Sequence, residues 1–282
     1  MDQGKSPRVD LLIVSHHTAA EALSLLAQVE AEDPARAIRL FILDNGSGIE
    51  EEARLRSLDG RATVLVSTVN LGFARAVNRL ASLGRAPWVL LMNPDLEPVP
   101  GIFEQMILSL PDDPRVGIRG GISLGDGPRT HGAFPHLFEP VSRWMDRLCV
   151  RTGTGDEDGA RPGAPFPADW VSGCFMLVRR ELLESLGGFD EGYFMQYEDV
   201  DFCYRAAQRG FSAEVDGSLC FRHRGHLSYE RSGRPLTGDL RASKARFLTR
   251  SQGPLAGWAY RSISRLFEAV RGIASGRPDS PR

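Results

Sequence analysis

Residues 9–17 read VDLLIVSHH. Val9–Val14 is an apolar run of strand length, too short for a buried helix and bounded by the polar Ser15-His16-His17. Working outward, the same grammar repeats. Thr18–Glu30 has helical spacing. Arg39–Leu43 is a second strand, ended by the turn Asp44-Asn45-Gly46-Ser47-Gly48. Glu50–Leu58 reads as a helix and Ala62–Ser67 as a third strand. Gly72–Leu83 is a helix with Phe73, Ala76, Val77 and Leu80 on one face. Trp88–Met92 is a fourth strand, stopped by Asn93-Pro94-Asp95. Strands alternating with helices at this spacing predict an α/β fold: a Rossmann-like, mostly parallel sheet flanked by helices on both sides.

Ligands of such sheets bind beyond the carboxyl ends of the strands. Those ends carry Ser15-His16-His17, Asp44-Asn45, Asn70-Leu71-Gly72 and Asn93-Pro94-Asp95. All are polar and open onto one crevice, which predicts a nucleotide site. No GxGxxG and no GxxxxGK[ST] occurs, so the pattern of a dinucleotide fold or a phosphate-loop NTPase is missing.

Beyond Asp95 the sequence is less regular. Val116–Ser123 reads as a strand, and residues 125–168, rich in Gly, Pro and charge, as a long loop. It is either an acceptor-binding lid or a plain insertion. Trp170–Val178 reads as one buried strand and Arg180–Leu186 as a short helix. The run GGFDEGYFMQYEDVDFCYRAAQRG at 187–210 sets five acids among six aromatics. Carboxylates against apolar walls are costly unless the charge is used, as a base or a ligand. A helix over Asp199–Arg209, closed by Gly210, puts Asp201 and Arg205 four apart, where they can pair.

The chain has 282 residues, 42% of them hydrophobic, and a net charge of −2, so no global field draws in nucleic acid. The charge is uneven: residues 231–282 hold eleven Lys or Arg against three Asp or Glu. Within that basic tail, Leu255, Trp258, Ala259, Ser262, Leu266 and Val270 fall near one helical face, with Arg261, Arg265 and Arg271 off it. Two readings stand: a helix lying on a membrane, or a helix packed on the core. Four cysteines without a CxxC read as reduced core residues of a cytoplasmic protein. No apolar run reaches the length of a membrane span.

With these residues placed, the chain resembles the family 2 glycosyltransferases of GT-A-type fold, and within them the rhamnosyltransferase-like group. The matching motifs run from Val9 to Ser228: Leu43-Asp44-Asn45-Gly46-Ser47; Asn70-Leu71-Gly72-Phe73-Ala74 with Asn78; Asn93-Pro94-Asp95; the stretch Gly187–Gly210; and His223 with Ser228. His16-His17 stand where the family has Tyr-Asn.

The resemblance implies a nucleotide-diphosphate sugar donor and a divalent cation, Mg²⁺ or Mn²⁺, to neutralise the leaving diphosphate. Asp95 and His223 are its implied ligands, with Asn93 supporting the turn or a metal-bound water. His226 is an alternative to His223, and Arg222 and Arg224, which flank His223, are expected to help hold the diphosphate. Ser15 and Asp44 are implied to contact base and ribose. His16 either stacks on the base or sits exposed in its turn. Arg75 either reaches the donor or is a solvated helix charge. Asn70, Trp170, the Gly187-Gly188 turn and Asp190 complete the donor and sugar pocket. Asp199 is the implied general base, with Glu198 raising its basicity by like-charge repulsion.

These expectations describe an inverting transferase moving L-rhamnose from dTDP-rhamnose to a glycan or lipid-linked acceptor of a cell-surface polysaccharide. A UDP-sugar donor (galactofuranose or a hexosamine) and a catalytically inactive sugar-nucleotide binder are the alternatives. A nucleotidyltransferase would need a Gly-rich basic loop where Ser15-His16-His17-Thr18 stands. The expected organisation is a transferase domain over 1–230, nucleotide-binding to about 110 and acceptor-binding or catalytic from 111, then a basic helical extension over 231–282. The expected place is the cytoplasm, or the inner membrane face if the tail docks there. Oligomers remain open.

Overall fold

The computed structural model describes residues 6–125, 130–135, 164–223, 231 and 236–275. The chain divides into two compact units, 1–134 with 157–235, and 135–156 with 236–282.

The first unit is built on a nine-stranded sheet. Its strands in chain order are β1 (Val9–Ser15), β2 (Ile38–Asn45), β3 (Thr63–Ser67), β4 (Trp88–Met92), β5 (Leu96–Pro98) and β6 (Val116–Ser123), then β8 (Phe166–Ala168), β10 (Phe175–Arg179) and β11 (Ser212–His223). β7 (His131–Gly132) and β9 (Trp170–Val171) pair as a separate ribbon. The order across the sheet is β3-β2-β1-β4-β10-β6-β11-β5, with β8 on β11. β1 to β4 are parallel, β10 runs against β4 and β6, and β11 is parallel to β6. The carboxyl ends of β1–β4, β6 and β11 and the amino end of β10 therefore share one edge.

Helices α1 (Ala19–Glu32), α2 (Ile49–Arg56), α3 (Phe73–Ala81), α4 (Ile102–Leu108), α5 (Arg180–Ser185) and α6 (Glu198–Gln208) belong to this unit. Val9, Leu11 and Ile13 point into one apolar layer with Leu26, Leu55 and Phe103, whereas Leu12 faces the other with Val77, Leu80 and Phe202. That alternation covers both faces of the sheet. Asp10, fully buried, takes Arg180, Arg39 and the Ala86 amide as partners, so the charge inside the strand is matched.

The long strand expected at Trp170–Val178 is two strands. Ser172-Gly173-Cys174 interrupts it, and a turn bond from the Phe175 amide to the Ser172 carbonyl marks the break. The loop expected over 125–168 carries strands β7 and β8 at its described ends, and its centre lies outside the described residues. The second unit's described part is α7 (Leu236–Gln252) and α8 (Pro254–Ser275), joined at Gly253, whose φ of +92° only glycine adopts without strain.

Candidate active site

Asp95 and His223 meet because of sheet register. After Asn93-Pro94-Asp95 the chain folds back as β5, whose Leu96 pairs with His223 at the end of β11. The two side chains are nearly buried, with His223 Nε2 3.5 Å from Asp95 Oδ1. Burial opposes charge on the imidazole, but the Asp95 carboxylate and the neighbouring Cys174 side chain outweigh it, holding His223 up at about 9.

Asp199 arrives from a different direction. Gln196 and Tyr197 both adopt left-handed backbone, φ 64° and 69°, an uncommon pair for side chains of this size. That kink starts α6 with Glu198 and Asp199 in its first turn. Asp199 Oδ2 accepts the Gly173 amide at 2.9 Å, and Oδ1 accepts the Val200 amide at 2.8 Å. Gly173 is bonded to Cys174, whose carbonyl accepts the Asn93 amide at 2.8 Å and whose side chain reaches His223. The break in β9–β10 thus joins all three: Asp199 grips one end, and Asp95 and His223 flank the other.

Burial is the leading cause that raises the Asp199 carboxyl, against bonds from Gly173 and Val200 that lower it. Glu198 is more deeply buried, and its Oε2 has no hydrogen-bond partner. Desolvation first, and Asp199 second, push Glu198 well above the usual carboxylate range. Burial thus raises both carboxyls of the pair, and Glu198 also feels the charge of its neighbour.

The other strand ends lie along the same edge of the sheet. Ser15 and Asp44 are register partners on β1 and β2, both buried. Ser15 Oγ lies 3.2 Å from Thr18 Oγ1, and Asp44 Oδ1 accepts the Ser47 amide. The His16 and His17 rings lie 4.3 Å apart at 51°, and His17 has φ 58°. The His17 amide donates to Ser47 Oγ, and its carbonyl accepts Arg231, which also forms a two-pronged pair with Glu21. Asn70 Oδ1 accepts Asn45 Nδ2 and the Gly72 amide, closing the loop before α3.

Arg75, Asp190 and Trp170 hold neighbouring structure. Arg75 is exposed and lies 3.5 Å from Glu191. Asp190 Oδ1 accepts the Gly192 amide, and Trp170 Nε1 donates to the Ala133 carbonyl. The Gly187-Gly188 turn is gripped by Arg205, itself paired with Asp201 at 2.7 Å as the four-residue spacing predicts. Asn78 binds both the Phe189 amide and carbonyl.

Sequence reasoning missed Gly173 and Cys174 as site neighbours, since an apolar run containing them looks continuous. Cys174, Cys203 and Cys220 are free, and Cys174 packs beside the site as well as in the core. Arg224, His226, Ser228 and Cys149 lie outside the described residues.

The donors fit a divalent cation. Asp95 offers a hard oxygen, and His223 has a buried Nδ1 without a partner and an Nε2 facing the carboxylate. Among the described residues no group of three His, Cys, Asp or Glu converges. A cation would take its remaining ligands from phosphate and water, as Mg²⁺ and Mn²⁺ do in sugar-nucleotide chemistry.

Residues 12–187 match the family model described as glycosyl transferase family 2, well over half of the chain. The chain belongs to glycosyl transferase family 2. Its relatives include the N-acetylglucosaminyl-diphospho-decaprenol L-rhamnosyltransferase of Mycobacterium tuberculosis, 29% identical over 228 residues, covering 68% of each chain. Over 42 residues it is 50% identical to rhamnosyltransferase WbbL of Escherichia coli K12, 15% of this chain and 16% of that one. Among solved structures, a mannosyltransferase of Pyrobaculum calidifontis in complex with GDP-Man and Mn²⁺ superposes with a TM-score of 0.56 at 17% identity, covering 96% of this chain and 80% of that one. The fold is accordingly the GT-A type, and this member is a rhamnosyltransferase-like family 2 glycosyltransferase.

Proposed function

We propose that this glycosyltransferase is metal-dependent and inverting, and transfers L-rhamnose from dTDP-L-rhamnose to a lipid-linked glycan of a cell-surface polysaccharide. The carrying observation is the junction at Ser172-Gly173-Cys174, which ties Asp199 to the Asp95–His223 pair. The sugar rests on the mycobacterial and E. coli relatives, both rhamnosyltransferases, and the lipid-linked acceptor on the mycobacterial one.

Asp95 and His223 would hold Mg²⁺ or Mn²⁺, which when bound supplies charge neutralisation for the departing diphosphate. The buried Ser15 and Asp44 orient the base and ribose, and the His16-His17 turn offers a ring to stack on. Asp199, anchored by the Gly173 amide, takes the acceptor hydroxyl proton as that oxygen attacks the anomeric carbon. Attack from the face opposite the diphosphate inverts that carbon without a covalent enzyme intermediate. Glu198 beside it is buried and raised as well, so the two adjacent acids titrate as a coupled pair.

The reaction is assigned to the cytoplasm, at the membrane face where lipid-linked acceptors are reached. The domain reading keeps 1–230 as the transferase and 231–282 as its helical extension. A thermal-shift screen of nucleotide sugars, each with and without Mn²⁺, tests the donor. A ligand that binds only the folded state raises Tm. We expect dTDP-L-rhamnose with Mn²⁺ to give the largest rise. A larger rise with a UDP-sugar overturns the donor assignment, and no rise with any donor overturns the function.

A further inference from the structure

Helix α8 turns an apolar stripe outward. Its inner side packs on α7: Ala256 is buried, and a Cβ on Gly257 would strike Thr249 Oγ1 and the Ala245 carbonyl. On the other side Leu255 is 81% exposed, Trp258 63% and Leu266 65%. Spacing puts 255, 258, 262 and 266 along one stripe, with the exposed Arg261 and Arg265 on its flank. Of the two readings the sequence left for this face, the exposure of these side chains among the described residues favours the surface helix.

The chemistry selects the occupant. Residues 236–275 carry seven Lys or Arg against two Asp or Glu. A large aromatic beside leucines and arginines suits the boundary between acyl chains and phosphate headgroups. No described helix is long and apolar enough to cross a membrane, so α8 lies on the surface and does not span it. A second copy is disfavoured, because a self-complementary interface along this stripe would set Arg261 and Arg265 against their own copies.

We propose that α8 docks on an anionic lipid surface, with Leu255, Trp258 and Leu266 entering the headgroup region and Arg261 and Arg265 pairing with lipid phosphates. The stripe residues are not those of the crevice, so variants that lose vesicle binding are expected to keep the donor-induced rise in Tm.

The test is co-sedimentation of the full chain with phosphatidylcholine vesicles, with and without phosphatidylglycerol. The expected result is binding that needs the anionic lipid and weakens with salt. Arg261→Glu with Arg265→Glu lowers the partition coefficient by about tenfold or more, and Leu255→Ser with Trp258→Ser lowers it on the same vesicles. The milder Arg261→Gln with Arg265→Gln reports the same loss if charge reversal disturbs folding, with circular dichroism as the check. Equal partitioning onto neutral vesicles, no binding to either, or variants that bind like the parent overturns the proposal. A parent dimer that Leu255→Ser with Trp258→Ser dissociates, without vesicle binding, assigns the face to a second copy and overturns it too.

Discussion

Asp199 combines two opposed requirements. Backbone amides fix its carboxylate in place, while burial raises its affinity for a proton. A general base works best when its proton affinity approaches the working pH. The acidic limb of the rate profile is expected above the ordinary carboxylate range, with turnover falling as pH drops through it. Asp199→Asn should cut turnover by about 10²- to 10⁴-fold while donor affinity, measured by calorimetry, stays within a few fold. Equal losses in binding and turnover would assign Asp199 a binding role instead. Glu198 gives a separate prediction. A carboxyl whose folded value is raised contributes stability that is complete below its unfolded value and is lost as pH rises through the folded one. Glu198→Gln, neutral throughout, should therefore flatten the decline in Tm on the alkaline side. A variant whose Tm falls with pH as steeply as the parent's would contradict that assignment. The two acids were readable in sequence as a pair. The rise that burial imposes on both was not, because desolvation depends on what surrounds each oxygen.

At the scale of elements, glycines decide where the segment 187–197 sits. The Gly72 φ of +80° and the Phe73 amide bond to the Phe194 carbonyl, 2.8 Å, bring that loop against the start of α3. A Cβ at Gly72 would collide with the same carbonyl oxygen. Gly72→Ala should cost about 2–3 kcal/mol of stability, read by urea denaturation, and should depress turnover by displacing Glu198 and Asp199. Unchanged stability would mean the clasp does not anchor the loop. The alternating strands and helices up to Met92 were legible because each buried strand is a short apolar run between turn residues. β11 was not legible: Asp216-Gly217 reads as a turn, yet the strand continues through it with a shift in register between Val215 and Cys220. β5 has three residues, too few for a periodic signal, although its pairing with β11 is what sets Asp95 beside His223. The Ser172-Gly173-Cys174 break was hidden for the opposite reason, since apolar residues on both sides make two strands look like one.

Across the whole molecule, residues separated by more than a hundred positions converge at one sheet edge, which is what a mixed sheet with β10 inserted against β4 and β6 allows. The fold class was accessible from periodicity, whereas this convergence depends on strand order, which no local pattern encodes. Asp95→Ala and His223→Ala should each abolish the Mn²⁺-dependent part of the donor's thermal shift while leaving the metal-free Tm within a few degrees. Persistence of that part in both variants would move the cation elsewhere. The most direct measurement is anomalous diffraction from crystals grown with Mn²⁺ and dTDP. One manganese peak is expected, bonded to Asp95 and His223, with the diphosphate against it and the Asp199 carboxylate facing the same cleft. A manganese peak with neither residue as ligand, or a dTDP bound away from Ser15 and Asp44, would contradict it.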